Sequence, residues 1–393
     1  MSATNTNSPQ SYGIAGQHGV NIQVGGVSVP IFPQDGIHLL ETQNVGQHLP
    51  VIMVKLLDCY GLYQSSVPIN DGTQFQVAFN DGNSGLPAMV NYRAFGTPAR
   101  KKHSSGYNEL TVIGLLDNIS YIRETVNRGM VGSSTNVMQQ IASLLNMQYI
   151  TNDSSNDAMT WLPGRGTFTK FATNIAKHAY SDEQSVFSHG VTTSNTLMFI
   201  NLQKLFSGKT FKATFFHGCV VKDSTEPTYE IFDKEAVNDS GLFNHIYGYG
   251  MRQSQTSGTG EANIYTTVQA TYTKGANLDI NQDSAQSLAN RTRIQIAPMN
   301  CGNSHANYIL AKHQNARLKA TYSQRFLVVI HQDVGLNLYD IVRTKVYNNG
   351  VIDLTTSGTY CVTGIARGIK GLQFFVKYEL TTTGPSNDNP ALY

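Results

Sequence analysis

The apolar positions along this chain change period twice, and each change marks a new kind of structure. From Ile37 to Leu116 they alternate with polar ones. Phe75, Val77 and Phe79 alternate with Gln74, Gln76 and Ala78; Val90, Tyr92 and Ala94 with Met89, Asn91 and Arg93; Leu110 and Val112 with Glu109 and Thr111. A period of two places each set on one face of a strand. Asn70-Asp71-Gly72 and Asn80-Asp81-Gly82 separate the runs as turns. Short alternating strands at this spacing predict an antiparallel sandwich or barrel. Val51 to Tyr60 (VIMVKLLDCY) is more continuously apolar than these runs, which predicts a strand covered on both faces.

From Gly129 the period lengthens. Val137, Met138, Ile141, Leu144 and Leu145 form a helical stripe behind a cap at Ser133 or Ser134. Phe168, Phe171, Ala172, Ile175 and Ala176 form a second stripe behind Thr167. Leu197 to Leu202 (LMFINL) is too short and too evenly apolar for a helix and reads as a buried strand. A helix–strand–helix–strand unit buries its stripes against a small sheet. Strands then resume at Phe211–Val221, Ile264–Tyr272, Arg325–Ile330, Leu336–Lys345, Thr359–Ala366 and Leu372–Leu380. In the last of these, Phe375 breaks the alternation. Asp239–Gly260 reads as a loop-rich insertion and His305–Ala320 as a helix with a ragged stripe.

The pattern predicts a mainly β fold with an α+β insert: two β domains of sandwich or barrel type flanking, and interleaved with, a small α/β domain. The expected divisions are an N-terminal arm (1–34), a first β domain (35–118), an α/β domain (119–206) and the start of a second β domain (207–275). A helical or loop insertion (276–320), the rest of the second β domain (321–383) and a flexible tail (384–393) follow. The arm is either mobile or laid on a neighbour. At 393 residues, two or three cores are expected.

Composition adds one strong point. Charged residues make up 14% of the chain, against a norm of about 25%. Asn, Gln, Ser, Thr and Gly fill the gap, and such a surface suits burial against other protein. A net charge of +2 gives no case for a nucleic acid or acidic membrane partner. Cys59, Cys219, Cys301 and Cys361 are widely spaced and read as free thiols. No secretory signal and no membrane-spanning segment are expected.

The candidate chemistry is thin. Ser207-Gly208-Lys209-Thr210 copies the end of a phosphate loop, but Gln203 stands where its first glycine belongs, so a turn between strands is the better reading. Gly164-Arg165-Gly166 reads as a tight turn. His178 and Asp182 suit capping or surface roles better than metal, and His217-Gly218-Cys219 suits a strand bend. Glu124, Asp182, Glu183 and Asp233 are unmarked carboxylates, the candidates for a sugar-cleaving pair. Trp161 reads as a core anchor, and Tyr247 to Tyr249 would supply stacking in a carbohydrate-binding reading. No catalytic, cofactor-binding or metal-ligating residue is singled out.

Two stretches carry a family resemblance. One runs from Tyr107 (YNELTVIGLLDNISYIRETVNRGMVGSSTNVMQQIASLLN) through Trp161 (WLPGRGTFTKFATNIAKHAY) to Leu197 (LMFINLQKLF). The other runs from His305 through Arg325–Val342 to TYCVTGIARGIKGLQFFVKYELTTTG. They resemble the tail and baseplate hub proteins of contractile-tail bacteriophages, including the late-control D group and the hub half of the type VI secretion spike. The likeness covers about half the chain; Asp239–Ser304 and the N-terminal arm have no counterpart. It implies a structural, non-enzymatic virion protein: a homotrimer whose six barrels match a sixfold tail tube on one side and a threefold spike on the other. The tail tube protein, the spike protein and possible tape-measure and other baseplate contacts are the implied partners. DNA would pass through the channel without specific binding, and no membrane insertion is implied. The rival readings are a tail-associated cell-wall hydrolase and a carbohydrate-binding β protein.

Overall fold

The structure, a computed structural model, describes residues 19–29, 38–46, 49–58, 68–80, 89–96, 99–102, 108–182, 185–208, 210–218, 225–238, 249–256, 263–269, 293–298, 324–370 and 373–382. From 249 to 298 only the backbone of the strands is described. The mainly β reading with an α+β insert holds, and three hydrophobic cores are present among the described residues.

The first β module contains β1 (Gly19–Val24), β2 (Val27–Val29), β3 (His38–Asn44), β4 (Val51–Asp58), β5 (Gln74–Asn80), β6 (Val90–Ala94), β7 (Ala99–Lys102) and β8 (Asn108–Leu116). Its strands pair in the order β3-β4-β8-β6-β5-β1-β2, with β7 also on β8. Ile22 of β1 and Leu39 of β3, near the two ends of that order, enter one core with Phe75, Val77 and Tyr92, so the sheet curls on itself. Residues 19–29, assigned by composition to an arm, are a hairpin on β5, because Ile22 and Val24 alternate into this core. β4 is not covered on both faces. Ile52, Val54 and Leu56 are buried, while Val51, Met53, Lys55 and Leu57 are only half-buried.

The α/β module contains α1 (Ser120–Arg123), β9 (Met130–Gly132), α2 (Ser134–Leu144), β10 (Gln148–Thr151), β11 (Met159–Trp161), α3 (Phe168–His178), β12 (Phe187–Val191), β13 (Thr196–Asn201) and α4 (Leu202–Ser207). Ser133 and Thr167 cap α2 and α3 through their side chains. The α2 amides of Ser134 and Thr135 are taken up by Asp157 (2.7 Å) and Ser155 (3.0 Å). The α3 stripe is buried as expected. In α2, Leu144 points outward, 46% exposed, and Ala142 takes its inward place. Every residue of β13 is buried. Leu197 and Phe199 enter the helical core, while Met198 and Ile200 enter the core of the second barrel.

The second module begins with β14 (Ala213–His217), β15 (Thr228–Glu230) and β16 (Asp233–Asn238). It is completed by β20 (Gln324–Ile330), β21 (Ile341–Asn348), β22 (Val351–Ile352), β23 (Gly358–Lys370) and β24 (Gln373–Thr382). Between them lie β17 (Tyr249–Thr256), β18 (Asn263–Gln269) and β19 (Arg293–Pro298), a three-stranded sheet in the order β18-β17-β19. The regions read as loop-rich (239–260) and helical or loop (276–320) therefore contribute strands. The strand expected to start at Leu336 starts at Ile341. Leu336 and Leu338 are buried in the loop before it, where Tyr339 turns the backbone at φ 68°. The barrel closes through one split strand. β15 lies parallel to β14, Ile231 and Phe232 donate to the Phe216 and Val329 carbonyls, and β16 then runs antiparallel to β20. The ring is β14-β21-β23-β24-β20-β15/β16. The predicted helix 305–320, residues 384–393, Tyr247, Glu183, Lys209, Cys59, Cys219 and Cys301 lie outside the described residues.

Candidate functional site: the junction between the barrels

One strand belongs to both barrels. β24 pairs with β23 along almost its whole length. The opposite edge of β23 is split: Gly358–Cys361 pair with β21, and Gly364–Lys370 pair with β3. A β-bulge between Val362 and Gly364 marks the change of partner. There Thr363 offers its carbonyl to Val45 (2.8 Å). Two glycines let the strands close up. A Cβ on Gly364 would lie 2.3 Å from Asn44 Oδ1 and 3.0 Å from the Glu379 Cβ. A Cβ on Gly368 would lie 2.2 Å from the Phe375 ring, so Phe375, the residue that broke the alternation, covers a glycine.

Across this seam lies a buried cluster of charge. Arg367 of β23 donates to Glu41 of β3 (Nη1–Oε1, 3.2 Å) and to Asp333 after β20 (Nε–Oδ2, 2.5 Å). Tyr92 of β6 donates to the other Glu41 oxygen at 2.5 Å, and Tyr378 of β24 donates to Asp333 at 3.4 Å. The Arg367 and Glu41 side chains are 14% and 3% exposed. Burial alone would lower the Arg367 pKa, but the charges of Asp333 and Glu41 outweigh it and raise it. Burial first, and the adjacent carboxylates second, push both tyrosines upward, so they remain donors. This is the chemistry of fixing two bodies in register. Phe79 of β5 adds an edge contact to Phe374 of β24, ring centroids 6.4 Å apart.

The α/β module is tied to the same seam. Gln43 accepts from the Thr193 amide (3.1 Å), Gly46 donates to the His189 carbonyl (3.0 Å), and Tyr339 donates to Ser188 (3.0 Å). On the outward face of the shared sheet, an apolar row crosses both barrels. Phe375 pairs across Gly368 to Leu40, Met53 and Ile113 in successive strands, and Phe95 follows, its amide on the Ile113 carbonyl. Ile113 and Phe95 are 47% and 45% exposed.

The residues weighed for chemistry are scattered. Ser207 and Gly208 end α4 rather than linking two strands. Carbonyls, not amides, point out of that end, the wrong sign for phosphate. Gly164 and Arg165 both have φ 58°, and Gly166 donates to the Pro163 carbonyl, which makes a tight turn. His178 hydrogen-bonds the Asn174 carbonyl at the end of α3. His217 ends β14 with its ring on the Ile231 carbonyl. Glu124 follows α1, Asp182 lies in the turn after α3 and Asp233 opens β16, three separate places. Trp161 is buried, its Nε1 donating to the Gly132 carbonyl at 3.0 Å. Cys361 is a free, buried thiol whose pKa burial pushes up. Among the described residues no cluster of His, Cys, Asp and Glu could hold a metal. Sequence reasoning missed Glu41, Asp333 and Arg367. The one available signal was a carboxylate at an inward position of β3, between Leu39 and Gln43.

No protein-family model and no curated protein sequence matches the chain. Among solved structures, the tail protein from Neisseria meningitidis MC58 is similar, with a TM-score of 0.60 and 11% identity, over 93% of this chain and 96% of that one. The 43 kDa tail protein of prophage MuSo2 from Shewanella oneidensis is similar at 0.59 and 10%, over 93% and 98%. The chain shares the fold of these tail proteins across nearly its whole length.

Proposed function

We propose that this chain is a structural hub of a phage-type, contractile tail. It forms a homotrimer in the virion baseplate, with two barrels from each of three copies making a ring of six. The ring seats on the sixfold tail tube protein, and the three α/β modules carry a threefold spike protein. Tape measure and further baseplate proteins complete its contacts. DNA passes through the channel without specific binding. Its work is geometric, not enzymatic. The observation that carries this reading is β23, which fastens two barrels side by side at a fixed angle through one ladder and one buried ion cluster. Six equal positions around a ring require that angle to be rigid. The outward apolar row and the 14% charge support burial against other protein. Permanent assemblies bury more than about 2,000 Å². Among the described residues no helix is long and apolar enough to cross a membrane. Size-exclusion chromatography with light scattering is expected to give three copies, and cryo-EM of that fraction a threefold ring. A monomer at high concentration sinks the reading. The hydrolase alternative finds no support in the dispersed Glu124, Asp182 and Asp233, and a peptidoglycan zymogram is expected to stay blank.

A further inference from the structure

We infer that the copies meet head to tail, with the basic strand β7 of one seated against the acidic β15–β16 corner of the next. This deepens the trimeric reading and rests on it.

The argument starts from topology. In the closed second barrel, β15/β16 stands three strands from β23 in either direction, by way of β21 and β14 or of β24 and β20. It is the side opposite the junction. In the first barrel, β7 is three pairings from β3, through β4 and β8. Each element is therefore three pairings removed from the junction strand of its own barrel, on a side left for a head-to-tail contact.

Their charges are opposite. β7 holds Arg100, Lys101 and Lys102, all exposed, and among the described residues it pairs only with β8, which leaves its other edge without a described partner. Glu109, across from Lys101, is held by Lys55 instead (3.1 Å). Among the described residues, none of the three cations has a carboxylate partner. On the second barrel, Glu230, Asp233 and Glu235 are exposed. Phe232 stands among them, 68% exposed, its ring edge-on to His331 at 4.1 Å. Lys234, the cation inside the group, is turned to Asn348 (3.2 Å), and Lys345 lies two strands away across Phe216.

Opposite charge on the two barrels selects a mode of assembly. Like elements repel, which disfavours a two-fold dimer, while unlike elements attract and propagate until the ring closes. The apolar Phe232 supplies a contact that charge alone lacks. The plainer alternative is that lysines on an open edge only prevent strand pairing. That alternative predicts no dependence on Asp233 and Glu235.

The test is oligomer mass against concentration and salt, by mass photometry and light scattering. Wild type is expected to be trimeric and to dissociate more readily in 1 M salt. D233K/E235K and R100E/K101E/K102E are each expected to raise the concentration of half-assembly at least tenfold, with circular dichroism and Tm unchanged. Combining both sets is expected to restore the trimer, which also shows that the single sets folded. A wild-type trimer whose mass and salt response ignore all these variants overturns the inference and leaves the hub reading standing. A wild-type monomer overturns both.

Discussion

β4 and β13 are both short apolar strands that the sequence marks for burial on two faces, yet only β13 is buried that way. In β13, alternate residues serve different cores: Leu197 and Phe199 face the helices, Met198 and Ile200 the second barrel. In β4, one set serves the first barrel and the other set stands half-open beside Leu40, Ile113 and Phe95. An apolar run therefore reports that both faces meet something, without saying whether the covering belongs to the same chain. In β13 the cover is internal. In β4 the described residues supply none of comparable depth.

Truncation tests this contrast most sharply. Phe199→Ala and Ile200→Ala each empty a different core and are expected to cost about 2–5 kcal/mol in chemical denaturation. Met53→Ala is expected to cost about 1 kcal/mol or less while weakening association. Equal losses at all three positions would mean that β4 is covered within the chain.

A comparable loss is expected at the seam. Arg367→Met strands Glu41 beside Asp333 without their cation, at a cost of about 3 kcal/mol on the scale of broken buried ion pairs. If the seam fixes the angle between barrels, the variant should also broaden the ring in cryo-EM class averages. A destabilised variant with an unchanged ring would confine the cluster to stability.

The smallest effect is acid sensitivity within the α/β module. Burial alone would raise the Asp153 pKa, but hydrogen bonds from Lys204, Asn201 and Ser181 and the Lys204 charge bring it below the ordinary 3.8. A depressed carboxylate stabilises the fold above its unfolded pKa, and that contribution is lost as pH falls through the folded value. Thermal unfolding should therefore show a lower Tm as pH drops below about 4, with a shallower fall in Asp153→Asn. Parallel curves for the two proteins would remove Asp153 from the account.

Local features were the most legible in sequence. Both helix caps, the α3 stripe, the turn at Gly164-Arg165 and the alternation of β5, β6 and β8 depend on residues within a few positions of one another. The loop from Leu336 to Asp340 imitated a strand because Leu336 and Leu338 are spaced by two and both buried. The seam left no local signature. Its acids and arginine come from β3, a loop and β23, and no spacing joins them before the sheet forms.

The strand shared by the two barrels also has a consequence for the order of events in synthesis. Glu41 and Arg367 are 326 positions apart, so β3 leaves the ribosome long before the strand that completes its ladder exists. Until then its outer edge is unsatisfied, and contacts this distant are slow to find. Completion of the joined pair of barrels is thereby coupled to translation of the C-terminal strands, and a stalled nascent chain would lack the finished seam.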